Sequence, residues 1–297
     1  MPRTLLADGR TVHWSEGGDP GGTPVLFFHG TPDTRRASWS GYAAAQRAGV
    51  RLIAANRPGY GASTPAAASY RRVVDDVLAL ADSLGLATFG VLGMSVGGPY
   101  ALACAALAPA QVSAAALVGS PGEVTRMEPP WPRDGLDEQG QELFRRLAVG
   151  TVEQNLEAVR PDFLAYRARV DPEDPDDVAL AARWIGGLPP EDRVLLAGRP
   201  AADLAADARE ALLVPDGYLA DAALVFRPWD FRVDDVRCPV TLWYGEGDAQ
   251  SPPRHGTWLA AALQRASLHV RPGLGHLETL LRSWDEILTS VRVVQEG

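Results

Sequence analysis

The sequence predicts an α/β fold, a mostly parallel sheet with helices on both faces, and three observations predict it. Short runs that are apolar throughout recur along the chain, as strands buried on both faces require. Segments with apolar residues at helical spacing separate those runs. A middle stretch, about residues 122–233, then breaks the alternation with helical segments and no convincing strand pattern, so it reads as a helical insertion. The expected division is a core domain of residues 1–121 and 234–297 around a helical cap at 122–233.

The elements follow in order. Thr11–Trp14 and Pro24–Phe28 are short β-rich runs, and Arg51–Ala55 is a third that stops at the breaker cluster Asn56-Arg57-Pro58-Gly59. Over Ser69–Leu84 the apolar positions 70, 73, 74, 77, 80, 81 and 84 have helical spacing, and Gly85 supplies the stop. Phe89–Leu92 reads as a strand. Val96–Leu107 reads as a helix apolar all round, hence buried, with Pro99 in its first turn, where no backbone donor is missed. Val112–Val118 is the next strand. Inside the insertion the acidic run from Asp171 to Asp177 reads as a solvated turn. The alternation then resumes with a strand at Pro239–Tyr244, a helix at Pro253–Leu263 and a strand at Ser267–Arg271. A last helix carries Leu280, Trp284, Ile287, Leu288 and Val291 on one face.

Composition removes several function classes. Of 297 residues, 46% are hydrophobic and 22% charged, as in ordinary globular chains. No run reaches the ~18 apolar residues of a membrane helix, and MPRTLLADGR lacks a signal-peptide core, so a cytoplasmic protein is expected. A net charge of −9 disfavours a nucleic-acid partner. All 28 basic residues are arginine, which excludes Schiff-base chemistry through lysine and a phosphate loop with its Lys. Cys104 and Cys238 form no CxxC pair and read as buried small hydrophobes. No dinucleotide or zinc motif is present, so neither cofactor nor metal is expected. Oligomeric state is left undetermined.

The chemistry centres on Gly93-Met94-Ser95-Val96-Gly97, set between an apolar strand and a buried helix. A turn that sharp strains the serine backbone and pushes its hydroxyl beyond the carboxyl edge of the sheet. It also aims free helix N–H groups at whatever binds there. A serine hydroxyl needs a base. Of the five histidines, His13 lies in a strand, His255 in a predicted surface helix, and His269 on a strand facing away from Leu268 and Val270. His276 sits in Pro272-Gly273-Leu274-Gly275-His276, a loop between the last strand and the last helix, from which an imidazole can reach the same sheet edge. The base needs a carboxylate to hold its tautomer. Asp248, in Gly245-Glu246-Gly247-Asp248, has that reach, whereas Glu246 follows the strand too closely. The backbone N–H groups of Thr31 and Val96 could form an oxyanion hole, with His29 bracing the loop.

These residues resemble the α/β-hydrolase superfamily over nearly the full chain. The resemblance is carried by HGTPDTR at 29–35, NRPGYGAS at 56–63, GMSVGGPYALA at 93–103, WYGEGDAQSP at 243–252 and GLGHLE at 273–278. It implies about eight strands and a cap inserted after the sixth. It also implies Ser95 as nucleophile, His276 as base, Asp248 as orienting acid, and Thr31 and Val96 as oxyanion donors. Relatives that open epoxides or remove halide carry aspartate where this chain has Ser95, which disfavours those reactions. Met94, Trp229, Phe231 and Trp131 are candidate substrate contacts, with Trp229 and Phe231 equally suited to plain core; Phe144 and Trp184 are further cap aromatics. The expected activity is hydrolysis of an ester, lactone or related acyl bond in a small, largely apolar molecule. Acyl transfer, C–C bond hydrolysis, cofactor-free perhydrolysis and a non-catalytic sensor are the alternatives.

Overall fold

Every residue of Phe89–Met94 is buried, and this run is the central strand of an eight-stranded sheet. The computed structural model describes residues 2–128 and 137–292. The strands are β1 (Arg3–Leu5), β2 (Thr11–Gly18), β3 (Thr23–Phe28), β4 (Val50–Ala55), β5 (Phe89–Met94), β6 (Val112–Val118), β7 (Val240–Gly245) and β8 (Ala266–Arg271). Their spatial order is β1-β2-β4-β3-β5-β6-β7-β8. β2 runs antiparallel to both neighbours, and the pairs from β4 to β8 are parallel. The sequence did not single out β1, only three residues long, nor the helix α1 (Tyr42–Ala48), whose buried side chains are the small Ala44 and Ala45.

Helices α2 (Tyr70–Ser83), α3 (Gly97–Leu107) and α10 (Arg254–Ala262) cover one face. The Ser69 hydroxyl caps α2 by accepting from the Arg72 N–H, which satisfies one of the helix's orphan donors. α1 and α11 (His276–Val291) cover the other face, and the five apolar residues expected on one side of α11 are all buried there. Each face has its own hydrophobic core.

Between β6 and β7 the described residues carry no strand. They form α4 (Glu138–Val149), α5 (Val152–Val170), α6 (Asp177–Gly186), α7 (Pro190–Leu196), α8 (Ala201–Ala211) and α9 (Asp216–Val225). Leu147, Phe163, Leu180, Leu212 and Leu219 give them a core of their own. The acidic run is a helix-to-helix turn. Asp176 caps α6 by accepting from the Val178 and Ala179 N–H groups, and Asp174 pairs with Arg183 at 2.7 Å. Among the described residues no helix is long and apolar enough to cross a membrane.

Candidate active site

Ser95 occupies the turn between β5 and α3 with φ of 53°, a left-handed conformation that costs a non-glycine residue roughly 1–2 kcal/mol. Its N–H donates to the Val118 carbonyl at 2.8 Å, which ties the turn to the end of β6. The flanking glycines are dictated by proximity. A Cβ on Gly97 would lie 2.1 Å from the Phe28 carbonyl oxygen, and one on Gly93 would lie 2.5 Å from the Gly98 Cα. Only bare backbone lets α3 start this close to β3 and β5.

His276 is the first residue of α11, not a mid-loop residue as its glycine-rich approach suggested. Its Nδ1 meets the Asp248 Oδ2 at 2.7 Å. The other Asp248 oxygen accepts from the Gln250 and Ser251 N–H groups, each at 2.8 Å, so the carboxylate is fixed on both sides. The loops carrying the two residues are joined by a bond from the Gly247 N–H to the Leu274 carbonyl at 2.9 Å. Glu246 is exposed and accepts from the Gly273 N–H. Gly119, at the end of β6, gives the pair its room. Its φ is +52°, and a Cβ there would lie 2.9 Å from the imidazole and 3.1 Å from the Asp248 carboxylate.

Ser95 and His276 line one cavity of ≈ 550 Å³, between the carboxyl ends of the strands and the helices α6–α8. A second cavity of ≈ 250 Å³ continues past Ser95 along α9 and shares Thr31, Pro32, Ser95 and Gln250 with the first. The larger volume lies within the range of roughly 300–1,000 Å³ usual for small-molecule sites. The Ser95 hydroxyl makes no hydrogen bond among the described residues, nor do the N–H groups of Thr31 and Val96, which line the smaller cavity. Catalytic hydrogen bonds are often long without substrate and tighten in the complex.

His29 is buried. Its Nδ1 donates to the Gly30 carbonyl at 2.9 Å and its Nε2 accepts from the Arg57 N–H at 3.4 Å. Burial, with Arg57 adding to it, holds its pKa well below the ordinary histidine value, so it stays neutral and braces the loop. His255 is buried on α10 and accepts from the Gly122 N–H through Nδ1; the surface placement expected from sequence is wrong because that helix presents it inward. Burial pushes it down to about 4. His269 is exposed on β8 and stacks on Trp243 at 4.2 Å. Cys104 and Cys238 are free, buried thiols.

Of the aromatic and sulfur contacts expected from sequence, Met94 and Trp184 line the larger cavity. Trp229 and Phe231 do not. They stack at 5.1 Å, pack on Tyr70 and belong to the core, the second of the two settings the sequence left open for them, so the substrate contact expected of them is not seen. Phe144 packs on Phe226 near Met127. Trp131 lies outside the described residues.

Polar groups that the motifs did not point to also line the larger cavity. The two guanidinium groups among its described lining residues, Arg36 and Arg199, both pair with Asp207, at 2.5 and 2.9 Å. Asp33 lines the same space, and burial pushes its carboxyl up to about 7. Asp192 on α7 is buried against the first turn of α11. Burial raises its pKa despite the nearby N–H groups of Leu277 and Glu278, which fall short of hydrogen-bonded geometry.

Comparison with known proteins identifies the family of the fold. The model of the alpha/beta hydrolase fold family matches residues 23–280. The pimeloyl-[acyl-carrier protein] methyl ester esterase of Chromobacterium violaceum is 30% identical, over 77% of this chain and 77% of its own. The 2-hydroxymuconate semialdehyde hydrolase of Pseudomonas sp. (strain CF600) is 28% identical, over 72% and 78% respectively. A higher identity of 35%, to the dihydrolipoyllysine-residue acetyltransferase component of the acetoin cleaving system of Pseudomonas putida, covers 41% of this chain and only 33% of that protein's length. Among solved structures, a hydrolase from Pseudomonas aeruginosa PA01 superposes with a TM-score of 0.66 at 18% identity, over 98% of this chain and 97% of the other.

Proposed function

The chain belongs to the alpha/beta hydrolase fold family, and on that premise we propose that it is a serine hydrolase cleaving an ester, lactone or related acyl bond in a small, largely apolar molecule. The observation that carries this reading is the strained Ser95 opening on the same cavity as an imidazole already hydrogen-bonded to a fixed carboxylate. His276 takes the Ser95 proton as the hydroxyl attacks the acyl carbon. Asp248 holds the ring with Nδ1 protonated, so that Nε2 is the basic nitrogen, and stabilises the imidazolium that forms. The N–H groups of Thr31 and Val96 hold the oxyanion, a contribution worth about 2.7–4 kcal/mol per donor in comparable sites. His276 returns the proton to the departing alcohol, then activates water to free the acid and restore Ser95.

A second reading, hydrolysis of a C–C bond, has support in the 28% identity to a semialdehyde hydrolase. The cavity's charges favour the first. Both arginines among its described lining residues are engaged by Asp207, and Asp33, Asp192 and Asp203 add acid groups, which suits an uncharged substrate better than an anionic one.

Ser95→Ala tests the proposal directly. Turnover of p-nitrophenyl butyrate is expected to fall by at least about 10⁴-fold with an unchanged circular dichroism spectrum. Ordinary turnover in the folded variant would remove Ser95 from the chemistry.

A further inference from the structure

The loop that presents Thr31 is held by several buried side chains, with one guanidinium at their centre. Arg57, in the turn after β4, donates from Nη1 to the His29 carbonyl at 2.5 Å and from Nη2 to the Gly30 carbonyl at 3.0 Å. The Gly30 carbonyl also accepts from His29 Nδ1, so both its lone-pair directions are used. The Gly30–Thr31 peptide is trans and planar. Fixing the direction of the Gly30 C=O therefore fixes the Thr31 N–H in the opposite direction.

The guanidinium is held in turn by Asp221 on α9, a helix of the segment between β6 and β7. Arg57 Nε lies 3.2 Å from Asp221 Oδ1, and Nη2 bonds Oδ2. Tyr100 donates to Oδ1 at 2.7 Å, Tyr60 to Oδ2 at 2.7 Å, and the Thr31 hydroxyl also donates to Oδ2. Arg57 and Asp221 are both buried, so these bonds are directional and little screened. A buried ion pair adds little net stability compared with apolar packing. Stability therefore gives no account of a network that ends on the backbone of residues 29–31.

We propose that Arg57, locked by Asp221, is the positioning residue that aims the Thr31 N–H at the acyl oxygen in the transition state. This rests on the reading of Ser95 as nucleophile. Asp221 makes the helical segment a structural part of the oxyanion site as well as its roof. The planar fork is essential, because a point-like ammonium cannot hold two successive carbonyls and a carboxylate at once.

The test compares the unsubstituted protein with Arg57→Lys and with the double variant Arg57→Gln/Asp221→Asn, which buries no lone charge. Active sites are counted by fluorophosphonate titration. The expected result is a fall in kcat per active site of about 10- to 100-fold with KM little changed, as a misdirected donor would produce. Affinity for a trifluoromethyl ketone, whose tetrahedral adduct on Ser95 bears an oxyanion, falls by the same factor. Affinity for the product alcohol is unchanged. Folded variants that lose only melting temperature, keeping kcat and ketone affinity, would overturn the positioning role. Ser95→Ala is assayed in parallel. Retained turnover there would instead refute the nucleophile assignment on which the inference rests.

Discussion

Gly119→Ala perturbs the site without replacing any residue assigned to the reaction. The new Cβ would stand 2.9 Å from the His276 Cε1 and Nδ1 and 3.1 Å from the Asp248 Oδ2, with Gly119 at φ of +52°. Ordinary contact between carbon and ring atoms needs about 3.5 Å or more, so the imidazole must retreat by roughly 0.6 Å or the end of β6 must shift. The left-handed backbone adds roughly 1–2 kcal/mol of strain. For a chain of this size that lowers the melting temperature by about 2–3 °C. Misplacing a reacting group by ~1 Å can cost about 10²-fold, so kcat for p-nitrophenyl butyrate should fall by about 10- to 100-fold. KM should change little, because the cavity wall that binds substrate is not altered. Steady-state kinetics and calorimetry on the same samples decide the matter. A variant with the expected melting-temperature loss but wild-type kcat would show that the imidazole's position does not control the reaction, and the role given to His276 would fail.

Two further predictions separate core from cavity and acid from neutral. Phe231→Ala should cost about 3–5 kcal/mol in denaturant unfolding with KM unchanged, because that ring stacks on Trp229 in the core, whereas Trp184→Ala should raise KM for longer acyl chains. Asp33→Asn should stabilise the fold in a pH-dependent way. Burial pushes the Asp33 carboxyl up to about 7, so ionising it costs stability as pH rises from about 4 to about 7, and the cost is full above that. The variant should therefore be more stable than wild type at pH 8, by up to about 4 kcal/mol, with the gain shrinking towards pH 4.5. A gain independent of pH would show that the carboxyl titrates normally.

The sheet was legible because its central strands β3 to β7 are largely apolar and its helices are punctuated by glycine and proline. Ser95, Asp248 and His276 were legible because each follows a strand and ends at the same sheet edge, and chain order alone places three such loops together. What escaped was set by tertiary proximity. Gly119 lies in an unremarked Val-Gly-Ser sequence, and only the imidazole beside it explains the bare backbone. Arg57 belonged to the NRPGYGAS run, but its partner Asp221 is 164 residues away on a helix with no motif. The RPWDF run gave no signal to choose between wall and core, since Trp229 and Phe231 are apolar in either setting; the packing of both rings on Tyr70 decided it.

The central claim is tested most directly by intact-mass analysis and peptide mapping of the native protein after brief exposure to a fluorophosphonate. One adduct is predicted, on the peptide containing Ser95, forming far more slowly in His276→Ala and absent after heat denaturation. No adduct on the folded protein, or an adduct on another serine with Ser95 untouched, would contradict it.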